Sequence, residues 1–569
     1  MYSDKENINI LTSLLVAHGA RNAVVCPGSR NAPITHNLCE CPDIKCKSVT
    51  DERSATFIAL GMSLSLNEPV AVCVTSGSAL LNTLPAVAEA HYRHVPLVII
   101  SADRPVAMID QLQGQTINQG NALRPFVKKV ASLYEPHDDT ERWHCNRLAN
   151  EALIAMRQHG DGPIHINVPI SEPLFNFTCP ALPTERTVSL TQTTPCKHAV
   201  DSIALEFARA ERTMLVIGQL PWQATSDGIG RKLTLLGEKT VILQEQLSRE
   251  ACLPCHFDEA LAAIGNDADW HPDFVIYLGG NIVSKRIRLY LQSFVPRRTV
   301  IVNETGELTD VTMHATDLVE CNAEHMINAL AKAFSESGQH GNVPTGGRSR
   351  NNATYIAKWN GILAKCQTLC MDFLPEYSQM LAVKMFHDIT NRQQCWLHYG
   401  NSSAVRLGQL YSTHYLYVNR GVNGIEGSLS VAVGFAATTD TPVYCVIGDL
   451  SFFYDQNALW NNLPKSNLRI LLLNNNGGGI FHQLPNIGAT PYLDCHVAAT
   501  HHTTAHGICG ENHVEYRQVN SQGDLEIGIQ WLTDDATQQP RLLEVFTDMQ
   551  KDASEMARYN KEARLLLSQ

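Results

Sequence analysis

The chain has 569 residues, 44% of them hydrophobic and 18% charged, with a formal net charge of −12. That length exceeds what one core sustains and points to three domains of about 150 to 200 residues, while the modest charge gives no sign of a nucleic-acid partner. No stretch reaches the roughly 18 apolar residues of a membrane span, and the opening MYSDKENINI lacks the pattern of a secretory leader, so a cytoplasmic protein is expected.

Residues 7–17 carry apolar side chains at helical spacing, and residues 22–26 read as a strand running into Pro27-Gly28-Ser29-Arg30. A small, flexible turn between strand and helix is good anion-binding geometry, and Arg30 adds a charge with bidentate reach. A surface turn with a solvated arginine fits the same residues. A second strand leads to Thr50-Asp51-Glu52-Arg53, and the Ala- and Leu-rich run 54–66 predicts a helix with Asp51 as N-cap and Glu52 in its first turn. Strands at 70–74, 97–100 and 164–168 alternate with helical stretches, one opened by Ser76-Gly77-Ser78 and extending to His91. The strand at 97–100 leads to Ala102-Asp103-Arg104-Pro105. Such alternation argues an α/β fold with doubly wound parallel sheets.

Residues 175–197, rich in Pro and Thr, read as a linker. A second α/β unit follows, with helices at 199–209 and 230–237 and strands at 214–218, 274–278 and 299–302. Seventeen cysteines, many in apolar runs, fit buried thiols rather than disulfides. Cys252-Leu253-Pro254-Cys255-His256 matches a haem-attachment pattern; without export it has no route to haem, and zinc lacks a second ligand pair at suitable spacing. Lys285-Arg286 follow the turn Gly279-Gly280-Asn281, and a solvated basic surface is the plain alternative to a binding role. A polar run at 335–352 reads as a second linker, giving expected domains of 1–178, 196–336 and 352–569.

The last third repeats the rhythm of the first. A strand at 396–399 runs into Gly400-Asn401-Ser402, with Arg406 one turn on, and a strand at 415–418 leads to Asn419-Arg420-Gly421 and Gly424-Ile425-Glu426-Gly427. An apolar run at 443–447 ends on Gly448-Asp449, a helix is expected over 454–463, and a strand at 468–473 stops at Asn474-Asn475-Asn476 and three glycines. Parallel strands joined by a crossover place Asp449 and the asparagines side by side, where open α/β sheets bind ligands. One carboxylate, one amide oxygen and a Gly-rich backbone suit a hard divalent cation that also grips a diphosphate. An ordinary strand–helix–strand unit with a polar loop fits the bare pattern equally. His496, His501, His502 and His506 suit no single helix face and read as a polar loop.

The Gly-Asp and Asn-Asn pairs, with 25 residues from Asp449 to Asn474, resemble the metal motif of thiamine diphosphate (ThDP) enzymes, with Leu450 where that motif often has Gly. PGSRNAP (27–33), TDER (50–53), TSGSA (75–79), SADRP (101–105), SKR (284–286), GNSSAVR (400–406) and NRGVNGIEG (419–427) are similar, across nearly the full length, to one branch of that superfamily. That branch is the SEPHCHC synthases of menaquinone biosynthesis. The resemblance implies a pyrimidine-binding domain (1–178), a central domain (196–336) and a diphosphate-binding domain (352–569). It implies ThDP with Mg2+, or Mn2+, held by Asp449, Asn475 and the Gly477 carbonyl. Ser402, Ile425, Leu450, Ser451 and Gly478 would surround the cofactor, and Glu52 would be the catalytic residue, bonded to N1′ of its aminopyrimidine.

By the same resemblance Ser29, Arg30, Arg104, Gln115, Lys285 and Arg286 would face isochorismate, and Ser402, Arg406 and Arg420 the 2-oxoglutarate-derived part. The implied reaction is decarboxylation of 2-oxoglutarate and addition of the remaining four-carbon unit to isochorismate. It would run in a homodimer or homotetramer with each site between subunits. Charge points the same way independently: two dicarboxylate substrates need cationic partners once removed from water, and six basic residues stand near strand ends. The rivals are a ThDP enzyme acting on pyruvate, separable by an assay with isochorismate, and a non-catalytic sensor binding ThDP or a menaquinone precursor, separable by a single turnover assay.

Overall fold

The computed structural model describes residues 1–192, 195–222, 229–248, 255–339, 348–463, 465–484, 486–487, 490–534 and 539–567. Short β-branched and leucine-rich runs become buried strands: every residue of Val70–Val74, Phe274–Leu278 and Leu468–Asn474 is buried, as expected of strands covered by helices on both faces.

Strands β1 (Asn22–Val25), β2 (Lys45–Ser48), β3 (Val70–Val74), β4 (Leu97–Asp103), β5 (Val130–Ser132) and β6 (Ile164–Pro169) form a six-stranded sheet in the order β2-β1-β3-β4-β6-β5. A five-stranded sheet follows, built from β7 (Thr213–Ile217), β8 (Val241–Gln244), β9 (Phe274–Leu278), β10 (Arg298–Asn303) and β11 (Asp317–Glu320), in the order β11-β10-β9-β7-β8. The last six strands are β12 (Trp396–Tyr399), β13 (Leu416–Val418), β14 (Val443–Gly448), β15 (Leu468–Asn474), β16 (Glu515–Val519) and β17 (Arg541–Phe546), ordered β13-β12-β14-β15-β17-β16. All these pairings are parallel. The first and third sheets therefore share one strand order. Each reverses direction between its first and third strand, which opens a crevice at the carboxyl ends of β1 and β3 and of β12 and β14.

The first and third sheets meet through two helices, Glu52–Leu66 and Ser428–Ala436. Glycines bring the two backbones together: a Cβ on Gly61 would lie 2.0 Å from the Val431 carbonyl oxygen, and one on Gly434 would lie 2.0 Å from that of Ile58. One hydrophobic core runs through the junction, with Phe57, Ile58 and Val72 on one side and Leu429, Phe435 and Ile447 on the other. The middle sheet has cores of its own, one of them completed by Trp359 from the helix Arg348–Asp372. Among the described residues no helix is long and apolar enough to cross a membrane.

Local structure departs from the sequence reading in three places. The helix expected over 454–463 is instead Asp449–Tyr454 followed by a single 3-10 stretch, Gln456–Leu459. Asp455 is fully buried and accepts from the Ser430 backbone N–H and hydroxyl, both at 2.7 Å, so a tertiary bond pulls the chain out of the α-helix. The helix expected to extend to His91 is broken at Thr83 into Ser78–Asn82 and Leu84–Tyr92, with proline in the first turn of the second piece. The run at 335–352 begins and ends in the helices Ala323–Gln339 and Arg348–Asp372. Within it residues 340–347, like Cys252 of the haem-like motif, lie outside the described residues. Among the described residues of the stretch at 175–197 no helix precedes its end. It is strapped to the first domain through Val188 N–H to Asn150 Oδ1 (2.9 Å) and the Ser13 hydroxyl to the Pro183 carbonyl (2.9 Å).

Candidate active site

At the carboxyl end of β14 the Asp449 carboxylate is buried, 3% exposed. Its Oδ1 accepts the Leu450 N–H at 2.7 Å, and its Oδ2 accepts the Gly477 N–H at 2.9 Å. His501 Nε2 stands 3.4 Å from the same Oδ2, and no Lys or Arg forms an ion pair with Asp449 among the described residues. Asn475, at the end of β15, donates its Nδ2 to Asp552 Oδ2 at 2.9 Å. Asp552 is fixed in turn by the Gln379 N–H (2.8 Å) and the Thr547 hydroxyl (2.8 Å). Burial raises the Asp552 pKa, opposed by those donors and by Asn475. With one amide N–H held by Asp552, the Asn475 side chain is oriented, and its Oδ1 is the atom a hard cation would take.

The backbone between these groups needs glycine: Gly477 has φ +152, and a Cβ there would lie 2.8 Å from the Ala498 carbonyl oxygen. The Gly477 carbonyl accepts the Gly479 N–H at 3.0 Å, which leaves one lone pair. The Gly478 N–H is spent on Ala498, at 2.7 Å, so that residue can offer a cofactor its carbonyl or its surface but not its amide proton. The Ser451 hydroxyl donates to the Ile425 carbonyl and ties the 419–427 loop to the helix Asp449–Tyr454; the Ile425 side chain is 39% exposed. Ser402, with φ +70, begins the helix Ser403–Tyr411. A buried carboxylate in no ion pair with Lys or Arg among the described residues, one oriented amide oxygen and one carbonyl make a donor set that fits a hard divalent cation completed by phosphate oxygens and water.

In the first domain Asp51 is the N-cap, accepting from the N–H groups of Arg53 (2.9 Å) and Ser54 (3.3 Å). The Glu52 carboxylate is thereby left to project, half-buried, with its Oε2 accepting Asn82 Nδ2 at 3.1 Å. Among the described residues no bond joins Glu52 to Asp449 or Asn475. The cations differ in state. Arg30 is buried and donates to the Ile170 carbonyl (3.2 Å) and to Glu172 (2.9 Å). Arg104 donates Nε to the Gly114 carbonyl at 3.2 Å, whereas Ser29 and Gln115 are exposed, the latter at φ +57. Arg286 pairs with Asp258 and with Asn560 Oδ1 (3.1 Å), while Lys285 and Arg406 are exposed. Arg420 bonds Asn401 Oδ1 at 3.0 Å and the Ile282 carbonyl at 3.3 Å, so it stands where the third sheet meets the turn before the helix Lys285–Gln292. Burial lowers its pKa, against the pull of nearby Glu245 and Glu89.

The N-terminal part, residues 8–122, matches the family model for "Thiamine pyrophosphate enzyme, N-terminal TPP binding domain". The chain is 42% identical over 564 residues to the 2-succinyl-5-enolpyruvyl-6-hydroxy-3-cyclohexene-1-carboxylate synthase of Bacteroides fragilis, covering 97% of this chain and 98% of that one. The chain belongs to this synthase family. The synthase of the same name from Bacteroides thetaiotaomicron is 40% identical, again over 97% and 98% of the two chains, and that of Desulfotalea psychrophila 34% over 96% and 99%. In fold the synthase chain is similar to the benzoylformate decarboxylase of Polynucleobacter necessarius, with a TM-score of 0.70 at 17% identity, covering 96% of this chain and 99% of that one.

Several residues around the site escape a reading of the synthase sequence. Asp552 is 77 positions from Asn475, and nothing in its own helix marks it. His501 comes from a histidine run in which only this ring reaches Asp449. Gln119 is 1% exposed and bolts loops together, accepting the Gly77 N–H at 2.7 Å and donating to Asn167 Oδ1 at 2.8 Å and the Ala102 carbonyl at 3.1 Å.

Proposed function

We propose that the protein is a transferase that decarboxylates 2-oxoglutarate and adds the remaining four-carbon unit to isochorismate. The products are SEPHCHC (2-succinyl-5-enolpyruvyl-6-hydroxy-3-cyclohexene-1-carboxylate) and CO2, as a cytoplasmic step of menaquinone biosynthesis. The observation that carries this reading is the buried Asp449 carboxylate, in no ion pair with Lys or Arg among the described residues, next to an asparagine whose nitrogen is tied back to Asp552. Asp449, Asn475 Oδ1 and the Gly477 carbonyl would hold Mg2+ or Mn2+, with Ser402, Leu450, Ser451 and Gly478 along the diphosphate. When bound, ThDP supplies an electron sink that lets a 2-oxo acid lose CO2 and hand on its acyl carbon.

Glu52 would hold a proton at N1′ of the aminopyrimidine, and Ile425 would prop the cofactor from the other side. Arg406 and Arg420, with Ser402, would neutralise the carboxylates of 2-oxoglutarate. Ser29, Arg30, Arg104, Gln115, Lys285 and Arg286 would orient isochorismate so that its ring alkene faces the reacting carbon. Glu52 and the Asp449–Asn475 pair belong to different domains, and in this reading they would meet across subunits of a homodimer or homotetramer. No membrane or nucleic-acid partner enters this reading. The test is CO2 release from 2-oxoglutarate by purified protein with ThDP and Mg2+, with and without isochorismate. Release that rises on adding isochorismate, with SEPHCHC formed, is expected; no release with both substrates present overturns the reading.

A further inference from the structure

Two buried glutamates, one on each side of Arg420, perform the same task. Glu89, on the helix Leu84–Tyr92 of the first domain, accepts the Gly421 N–H at 2.8 Å with one oxygen and the Val422 N–H at 2.7 Å with the other. Its side chain is 4% exposed, and Arg93 lies 4.0 Å away. Glu245, one residue beyond β8, accepts the Val283 N–H at 2.7 Å and the Ser284 N–H at 2.8 Å, and is 5% exposed. Each carboxylate thus spans two successive backbone N–H groups next to a cation of the proposed substrate set, the second pair lying just before the helix Lys285–Gln292. The loop held by Glu89 begins with Arg420, and the loop held by Glu245 continues into Lys285 and Arg286.

The two loops are also joined to each other. Arg420 donates to the Ile282 carbonyl at 3.3 Å, and Asn281 Nδ2 donates to the Arg420 carbonyl at 2.7 Å. Gly421 lets Glu89 come close: a Cβ at that position would lie 2.7 Å from the Glu89 carbonyl oxygen. An ionised carboxylate is a pure acceptor, and two charge-assisted bonds to adjacent amides fix a loop more tightly than neutral bonds do. Stability alone does not call for burying two carboxylates here, because desolvation opposes their charge even with Arg93 and Arg420 nearby.

We infer that Glu89 and Glu245 are positioning residues for substrate binding: Glu89 clamps the loop of Arg420, and Glu245 clamps the turn that starts the helix of Lys285 together with the Ile282 carbonyl against which the Arg420 head rests. The inference rests on the activity proposed above: the Glu89 clamp serves the 2-oxoglutarate cation Arg420, and the Glu245 clamp serves cations of both substrates. Glutamine matches glutamate in shape but turns an N–H2 group toward one of the amides, so each substitution replaces a bond with two opposed donors.

The test is steady-state kinetics of Glu89→Gln and Glu245→Gln, with each substrate varied in turn and ThDP affinity read separately by fluorescence quenching. Glu89→Gln is expected to raise KM for 2-oxoglutarate about tenfold, with the isochorismate KM, the ThDP affinity and kcat moving less than about threefold. Glu245→Gln is expected to raise both substrate KM values about tenfold with ThDP affinity kept. Unchanged KM values, or equal losses for ThDP and both substrates, overturn the inference. Glu→Asp at each position keeps the acceptors on a shorter arm and reads the same constants if glutamine does not fold; no soluble protein from either substitution overturns it too, by assigning the carboxylates to folding. Lack of activity in the unsubstituted protein would instead overturn the proposed reaction.

Discussion

The first and third sheets have one strand order and one crevice position, and they present different chemistry at it. At the third, β14 and β15 deliver a carboxylate and an amide oxygen whose orientations are locked by backbone N–H groups and by Asp552. At the first, Arg30 follows β1 but is turned to Ile170 and Glu172, and Glu52 heads a helix whose cap is supplied by its neighbour Asp51. Topology therefore locates where a site can be, and the loop residues decide what the site does. Asp51 takes the capping work, which frees the adjacent carboxylate to project. Asp449 is instead buried with one backbone N–H on each oxygen, which orients the carboxylate and leaves lone pairs for a further ligand.

That contrast can be broken most severely at Glu52. Glu52→Gln is expected to cut turnover by about 100- to 10,000-fold, the range for losing a proton-handling side chain, while Mn2+ binding in the presence of ThDP, read by electron paramagnetic resonance, stays as before. Near-normal turnover would mean that the first crevice contributes scaffold and no chemistry. On the other side, Asp552→Asn is expected to weaken cation affinity by about 10- to 100-fold, the usual cost of losing a group that orients a metal ligand. Titration with Mn2+ reads it, and an unchanged affinity would show that Asn475 needs no such anchor. The smallest effect concerns the shared axis of the two sheets. Gly61→Ala places a methyl group against the Val431 carbonyl and is expected to lower stability by about 1 to 3 kcal/mol in urea unfolding. A stability equal to that of the unsubstituted protein would mean that the helices can part at no cost.

Much of this was legible in the chain itself. The strands that form the centres of the three sheets are continuous apolar runs, and Asp449, Asn475, Glu52 and the arginines each stand directly after such a run or at the head of a helix. Strand ends in a parallel sheet fall along one edge, so spacing along the chain places those residues. Strands such as Val130–Ser132 and Asp317–Glu320 carry no such mark, because edge strands are only partly buried and need no apolar run. The sequence determined the fold class and the residue types at the carboxyl edge, since both follow from local periodicity. Only the tertiary structure decided that Asp552 turns Asn475, that Arg30 and Arg286 already have acidic partners, and that Glu89 and Glu245 clamp the loops beside Arg420. Those are bonds between residues tens to hundreds of positions apart, and no periodicity along a chain encodes which distant carboxylate will meet which amide.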